Sequence, residues 1–188
     1  MNRYPDGELR PVIETACGAA VTSFSRRHRR STTTSSNLCC CSTQAPPGPT
    51  WGAVKLAERY AAALDGSVAV VRKHRESGSA VSALDIAGDV RGRPVEIVDD
   101  MISTGATIEA AVGLLRARGA APDIVVAATH GLLVHNAASR LHELDLPRLL
   151  VTDTVAINDP GSFVHVCSVA SMLVDAMTCL HAGKPIRQ

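Results

Sequence analysis

From Trp51 onward, apolar positions alternate between two rhythms. Residues 54–64 are alanine-rich with apolar side chains at helical spacing, and residues 68–71 form a short apolar run of strand length. Residues 79–88 alternate polar and apolar, as one arm of a hairpin would, and residues 95–98 form a second apolar-rich run. A helix is predicted over 106–118, closed by Gly119, then a β-branched strand over 123–128, a helix over 135–144 and a strand over 148–151. A last strand at 164–166 and a helix at 168–182, stopped by Gly183 and Pro185, complete the series. Period-2 or fully apolar runs alternating with period-3.6 segments predict βα units. Stacked in series, such units give an α/β fold with a doubly wound parallel sheet.

Residues 23–50 do not follow this grammar. They hold Arg26-Arg-His-Arg-Arg30, a Ser/Thr run, three consecutive cysteines and Pro46-Pro-Gly-Pro49, with no helix or strand period. Such a composition predicts an irregular linker. Its basic cluster reads as a solvated face or as a site for an acidic partner.

The chemistry concentrates at Val95-Glu-Ile-Val-Asp-Asp-Met-Ile-Ser-Thr-Gly-Ala-Thr107. An apolar strand ends in two carboxylates, Asp99 and Asp100, followed by a short Gly/Thr loop and a helix. Ligands bind at the open ends of parallel strands. A helix N-terminus approached by small residues is an anion site. Gly105 lets the backbone come close, and Ser103, Thr104 and Thr107 add hydroxyls. The carboxylates can accept from sugar hydroxyls or hold a hydrated Mg²⁺. A plain strand-to-helix turn with a capping hydroxyl is the simpler alternative, but it does not call for two adjacent acids. The loop is neither a Walker A sequence nor a Gly-x-Gly-x-x-Gly dinucleotide fingerprint.

Composition narrows the function classes. A formal charge of +1 and an aromatic share of 3% argue against nucleic acid as a partner. No apolar run is long enough to span a bilayer and the N-terminus has no signal-peptide h-region, so no membrane partner and a cytoplasmic location are expected. Of the six cysteines, Cys17, Cys167 and Cys179 read as buried thiols. Cys39, Cys40 and Cys41 have neither disulfide-framework nor metal-knuckle spacing.

Val98-Asp-Asp-Met-Ile-Ser-Thr-Gly-Ala-Thr107 resembles the phosphoribosyl pyrophosphate (PRPP) loop shared by type I phosphoribosyltransferases and ribose-phosphate pyrophosphokinases, the PRPP synthetases. The surroundings resemble the synthetase branch. Val70-Val-Arg-Lys-His-Arg75 is similar to its Lys-x-Arg catalytic loop, and Ala128-Thr-His-Gly131 and Val151-Thr-Asp-Thr154 to its later strand ends. Val166-Cys-Ser-Val-Ala170 is similar to its C-terminal segment, and Arg3-Tyr-Pro-Asp-Gly-Glu8 to its Phe-x-Asp-Gly-Glu element. The resemblance covers Trp51 to the C-terminus and roughly the first twenty residues. It implies a phosphoribosyltransferase-type domain over 51–188 and a remnant of a second, similar domain over 1–22. Read one base out of frame, Thr32 to Thr43 is compatible with Asn-Asp-His-Leu-Val-Glu-Leu and a leucine run, which would be the family's first-domain helix.

The resemblance implies diphosphate transfer from MgATP to ribose 5-phosphate, giving PRPP for nucleotide biosynthesis. Asp99 and Asp100 would hold ribose hydroxyls or the Mg²⁺. Ser103, Thr104, Gly105, Ala106 and Thr107 would cradle the 5-phosphate, and Lys73 and Arg75 would stabilise charge on the transferred phosphates. Tyr4, Asp6 and Glu8 would contact adenine, in the family from a neighbouring subunit, so a homo-oligomer or association with a full-length synthetase is expected. The family's Arg-rich ATP segment and Asp-Leu-His element have no counterpart here, which weighs against full activity. Two alternatives stay open: a non-catalytic sugar-phosphate-binding or regulatory subunit, and a phosphoribosyltransferase that consumes PRPP. His130 could be a ligand or a proton donor, although a lone histidine at a strand end is more often structural. Asp153 and Thr154 would shape the crevice.

Overall fold

The computed structural model describes residues 38–44, 51–75, 82–158 and 160–184. The elements follow in chain order: β1 (Cys39–Gln44), α1 (Trp51–Leu64), β2 (Ser67–Arg75), β3 (Ser82–Ala87), β4 (Val95–Ile102) and α2 (Ala106–Ala117). Then come β5 (Ile124–Gly131), α3 (Ala137–His142), β6 (Arg148–Thr152), β7 (Val164–Cys167) and α4 (Ala170–His181). One seven-stranded sheet has the order β3-β2-β1-β4-β5-β6-β7. Every neighbouring pair is parallel except β2 with β3.

Helices on both faces make the sheet doubly wound. On one face α1 buries Ala57, Tyr60, Ala61 and Leu64 against Leu38, Cys40, Val98 and Ala127. Those helix positions are i, i+3, i+4 and i+7, the spacing of one face of an α-helix. The other face carries the larger cluster, in which α2 sets Ile108, Ala111, Val112 and Leu115 against Cys41, Ile97, Val126 and Val151. The inner strands are covered on both sides, which is why β5 is buried over its first six residues and reads as a continuous apolar run.

One expectation fails in the sheet itself. Cys39–Gln44 lies inside the stretch expected to be an irregular linker. It is instead a strand between β2 and β4. Cys39, Cys40 and Cys41 are reduced thiols, outside any disulfide, with no exposed surface. Cysteine packs as a small apolar side chain, so a run of three fills a two-sided buried strand as well as valine would. Burial pushes the Cys41 thiol up to about 12, so it stays protonated and inert. Cys167 is buried as expected, whereas Cys179 on α4 is only half-buried. Cys17 and the proposed domain remnant over 1–22 lie outside the described residues.

Two strands run longer than their apolar cores suggest. β2 continues through Arg75 because β3 pairs back along it, with Lys73 opposite Leu84 and Arg75 opposite Ser82. The residues expected in a catalytic loop therefore sit on a strand. β4 continues through Ile102, so Asp99 and Asp100 lie within it and the loop shrinks to residues 103–105.

Candidate functional site

The chain leaves β1 in one direction, through α1 to β2, and leaves β4 in the other, through α2 to β5. The gap between the C-terminal ends of β1 and β4 is thus the topological switch point, where crossovers diverge and a crevice opens. Thr43 of β1 and Asp99 of β4 meet there. The Thr43 hydroxyl donates to Asp99 Oδ2 at 2.6 Å, and the Asp100 N–H donates to Asp99 Oδ1 at 2.9 Å. Burial pushes the Asp99 carboxyl up to about 7; the Thr43 hydrogen bond pulls it down and the neighbouring Asp100 carboxylate adds to the rise. Asp100 itself is exposed. The strand end therefore holds one carboxyl poised near neutrality beside one open to solvent.

The adjoining loop delivers a helix N-terminus to the same place. Gly105 is the N-cap of α2, with φ 75°, a left-handed conformation. It is buried, and a Cβ there would lie 3.2 Å from Leu141 Cγ. Only glycine satisfies both the dihedral and the space. Having no side chain, it leaves the first N–H groups of α2 without a side-chain cap, and those groups attract anions. Thr104, Ala106 and Thr107 are exposed and Ser103 is half-buried. All seven residues expected to bind the sugar phosphate are gathered at this one end of the sheet.

Lys73 and Arg75 are brought to the same edge through backbone register alone. Gln44 of β1 pairs with Arg72 of β2, while Ser42 pairs with Val98 of β4. The end of β2 therefore projects past the level of Asp100. The side chains of Lys73 and Arg75 lie outside the described residues, as do Tyr4, Asp6 and Glu8. Thr43 was missed, because its stretch was read as linker. The adjacent strand ends carry a hydroxyl network around His130, Thr129, Thr152 and Thr154. Only the Thr-His-Gly and Thr-Asp-Thr motifs hinted at it.

The donor set suits Mg²⁺. Asp99, Asp100 and Thr43 offer hard oxygen ligands, and among the described residues no group of three or more His, Cys, Asp or Glu side chains forms a cage. Mg²⁺ is commonly held by one or two carboxylates, with waters and substrate phosphates completing the shell. A buried carboxyl with a raised pKa is also one whose ionised form a nearby cation would stabilise.

Residues 69–187 match the phosphoribosyl synthetase-associated domain. The chain belongs to that family. A ribose-phosphate pyrophosphokinase from Streptomyces avermitilis is 39% identical over 135 residues, covering 69% of this chain and 41% of the relative. One from Mycobacterium bovis is 39% identical over 134 residues, covering 69% of this chain and 41% of its own length. The chain thus spans about two fifths of these curated relatives. The crystal structure of phosphoribosylpyrophosphate synthetase from Mycobacterium smegmatis superposes with a TM-score of 0.71 at 29% identity, over 87% of this chain and 51% of that one. An adenine phosphoribosyltransferase from Trypanosoma brucei shares the fold, with a TM-score of 0.53 at 19% identity over 77% of this chain and 68% of that one. Among the described residues no helix is long and apolar enough to cross a membrane.

Proposed function

We propose that the switch-point crevice binds ribose 5-phosphate and serves diphosphate transfer from ATP to its C1 hydroxyl, giving PRPP for nucleotide biosynthesis. The observation that carries this reading is the meeting of Asp99 with Thr43 beside the glycine-capped start of α2. The site joins acceptors for sugar hydroxyls to donors for a phosphate. The family supports the reading, since its curated relatives are named ribose-phosphate pyrophosphokinases.

The N–H groups at the start of α2 and the hydroxyls of Ser103, Thr104 and Thr107 receive the 5-phosphate. Asp99 and Asp100 accept from ribose hydroxyls and would also hold Mg²⁺, which when bound supplies neutralising charge for the phosphates. Lys73 and Arg75, carried on the end of β2, stabilise charge on the transferred diphosphate. In phosphoryl-type transfer the protein contributes mostly position and electrostatic complementarity, and this inventory supplies both. Tyr4, Asp6 and Glu8 contact adenine, from a second copy of the chain in a homo-oligomer or from association with a full-length synthetase. The setting is the cytoplasm.

The test is ribose 5-phosphate- and Mg²⁺-dependent release of AMP from ATP by the purified chain, with Asp100→Ala as control. Release that disappears in the control establishes a synthetase. Ribose 5-phosphate binding by calorimetry without AMP release would replace it with a sugar-phosphate-binding regulatory subunit.

A further inference from the structure

We propose that Thr43 reads the 2-hydroxyl of the sugar: its Oγ1 accepts a hydrogen bond from that hydroxyl, while Asp99 beside it accepts from the 3-hydroxyl. The inference rests on the sugar-phosphate reading above and names the residue that separates ribose from 2-deoxyribose at that site.

Proton accounting makes Thr43 an acceptor. A threonine hydroxyl carries one proton and two lone pairs, and an ionised carboxylate can only accept. The Thr43 proton is given to Asp99 Oδ2 at 2.6 Å. Among the described residues no other group bonds Thr43 Oγ1, so its lone pairs are open to a ligand. Asp99 is engaged once on each oxygen, by Thr43 on Oδ2 and by the Asp100 N–H on Oδ1 at 2.9 Å, and it too keeps room to accept. Both residues are half-buried, so the pair is held by the sheet and still meets solvent. Two acceptors a single hydrogen bond apart match two hydroxyls on neighbouring carbons.

The fold decides which hydroxyl goes to which acceptor. Successive side chains on a strand point to opposite faces. Cys39 and Cys41 of β1, and Val95 and Ile97 of β4, pack in the cluster that α2 covers. Thr43 and Asp99 continue those two rows, and their hydrogen bond joins them on that face. Asp99 lies on the strand that runs directly into the phosphate loop, and Thr43 lies one strand farther away. The loop itself is tied to the opposite side of β4. The Val134 N–H beyond β5 donates to the Ser103 carbonyl at 3.1 Å, and the Gly105 backbone stands against Leu141 of α3. The phosphate cradle, Asp99 and Thr43 therefore follow one another across the sheet. Along the sugar the order is C5, C4, C3, C2. A 5-phosphate seated at the start of α2 thus brings the 3-hydroxyl to Asp99 and the 2-hydroxyl to Thr43.

The experiment is calorimetry of the full chain with ribose 5-phosphate and with 2-deoxyribose 5-phosphate, at mildly alkaline pH where Asp99 is ionised. The unaltered protein is expected to prefer the ribose sugar about tenfold, the scale of a single hydrogen bond. Thr43→Ser should keep that preference. Thr43→Val should abolish it, binding both sugars about as the unaltered protein binds the deoxy sugar; Thr43→Ala repeats the reading should the valine unfold the strand. A threonine that served only to hold Asp99 would, on replacement, weaken both sugars alike and leave the preference intact. That result overturns this proposal, and so does equal binding of the two sugars by the unaltered protein, which needs no variant; both leave the sugar-phosphate site standing. Ribose 5-phosphate that does not bind at all overturns both readings.

Discussion

Helices α2 and α4 are each 12 residues long, each follows a strand, and both are rich in apolar residues. α2 buries Ile108, Ala111, Val112 and Leu115 completely, while α4 buries no residue fully and leaves Val174 60% and Met177 67% exposed. α2 lies over the middle of the sheet, where β1, β4, β5 and β6 supply a wide apolar floor. α4 follows β7, the edge strand. Position in the sheet, rather than composition, decides what an apolar stripe contributes. The helix anchored over the centre is also the one whose N-terminus is delivered to the switch point.

Substitutions that strike one helix and spare the other test this contrast. Leu115→Ala, deep under α2, is expected to cost about 3 kcal/mol through lost burial and a residual cavity, read as a lowered urea midpoint. Gly105→Ala forces a Cβ into a left-handed residue against Leu141. We expect a cost of about 2 kcal/mol and loss of ribose 5-phosphate binding by calorimetry, because the start of α2 must move.

Next comes a pH dependence seated at the α2 end of the sheet. A folded Asp99 pKa of about 7 lies above the ordinary aspartate value of about 3.9. Between those values the folded protein keeps a proton that the unfolded chain has released. Stability should therefore fall as pH rises through that window and level off above about 7. Urea midpoints at acidic and mildly alkaline pH check this, and Asp99→Asn should flatten the profile. Because ligand hydroxyls need the ionised carboxylate, ribose 5-phosphate affinity should strengthen over the same rise.

The α4 side should respond less. Asp153 Oδ1 accepts from the Val169 N–H at 2.9 Å just before α4 begins, and hydrogen bonds from Ser168 and Val169 hold its carboxyl below the usual range. Asp153→Ala is expected to cost about 1 kcal/mol, as loss of a cap does, with faster amide exchange confined to α4. Met177→Ser should change stability by less than about 0.5 kcal/mol. A drop as large as that of Leu115→Ala would show that α4 is covered in solution and would erase the contrast.

Much of this was legible in the chain. The period-3.6 stripes of α1 and α2 and the apolar runs of β4, β5 and β6 placed those elements within a few residues. Asp99, Asp100 and the loop to Thr107 stood out because adjacent acids before a Gly/Thr turn have no structural need to be there. Three features were hidden for definable reasons. Cys39–Gln44 has a single β-branched residue, Thr43, and none of the alternation that marks strands, since a strand covered on both faces needs only small apolar bulk. Thr43 went with it. The length of β2 depended on β3, because a polar strand end is stabilised by its partner's ladder, which local sequence does not contain.

The sequence by itself determined the local chemistry: where the helices repeat, where the acids fall, and that a glycine stands where the backbone must take a left-handed turn. These follow from side-chain type and spacing, which are properties of neighbours along the chain. The tertiary structure decided which of those residues meet. Thr43 lies 56 positions from Asp99, and His130 lies 24 from Thr154, yet each pair is within hydrogen-bonding distance. It also decided that Asp99 loses water and is drawn toward neutrality. Desolvation and hydrogen bonding depend on what is packed around a group, and only the order of strands in the sheet settles that.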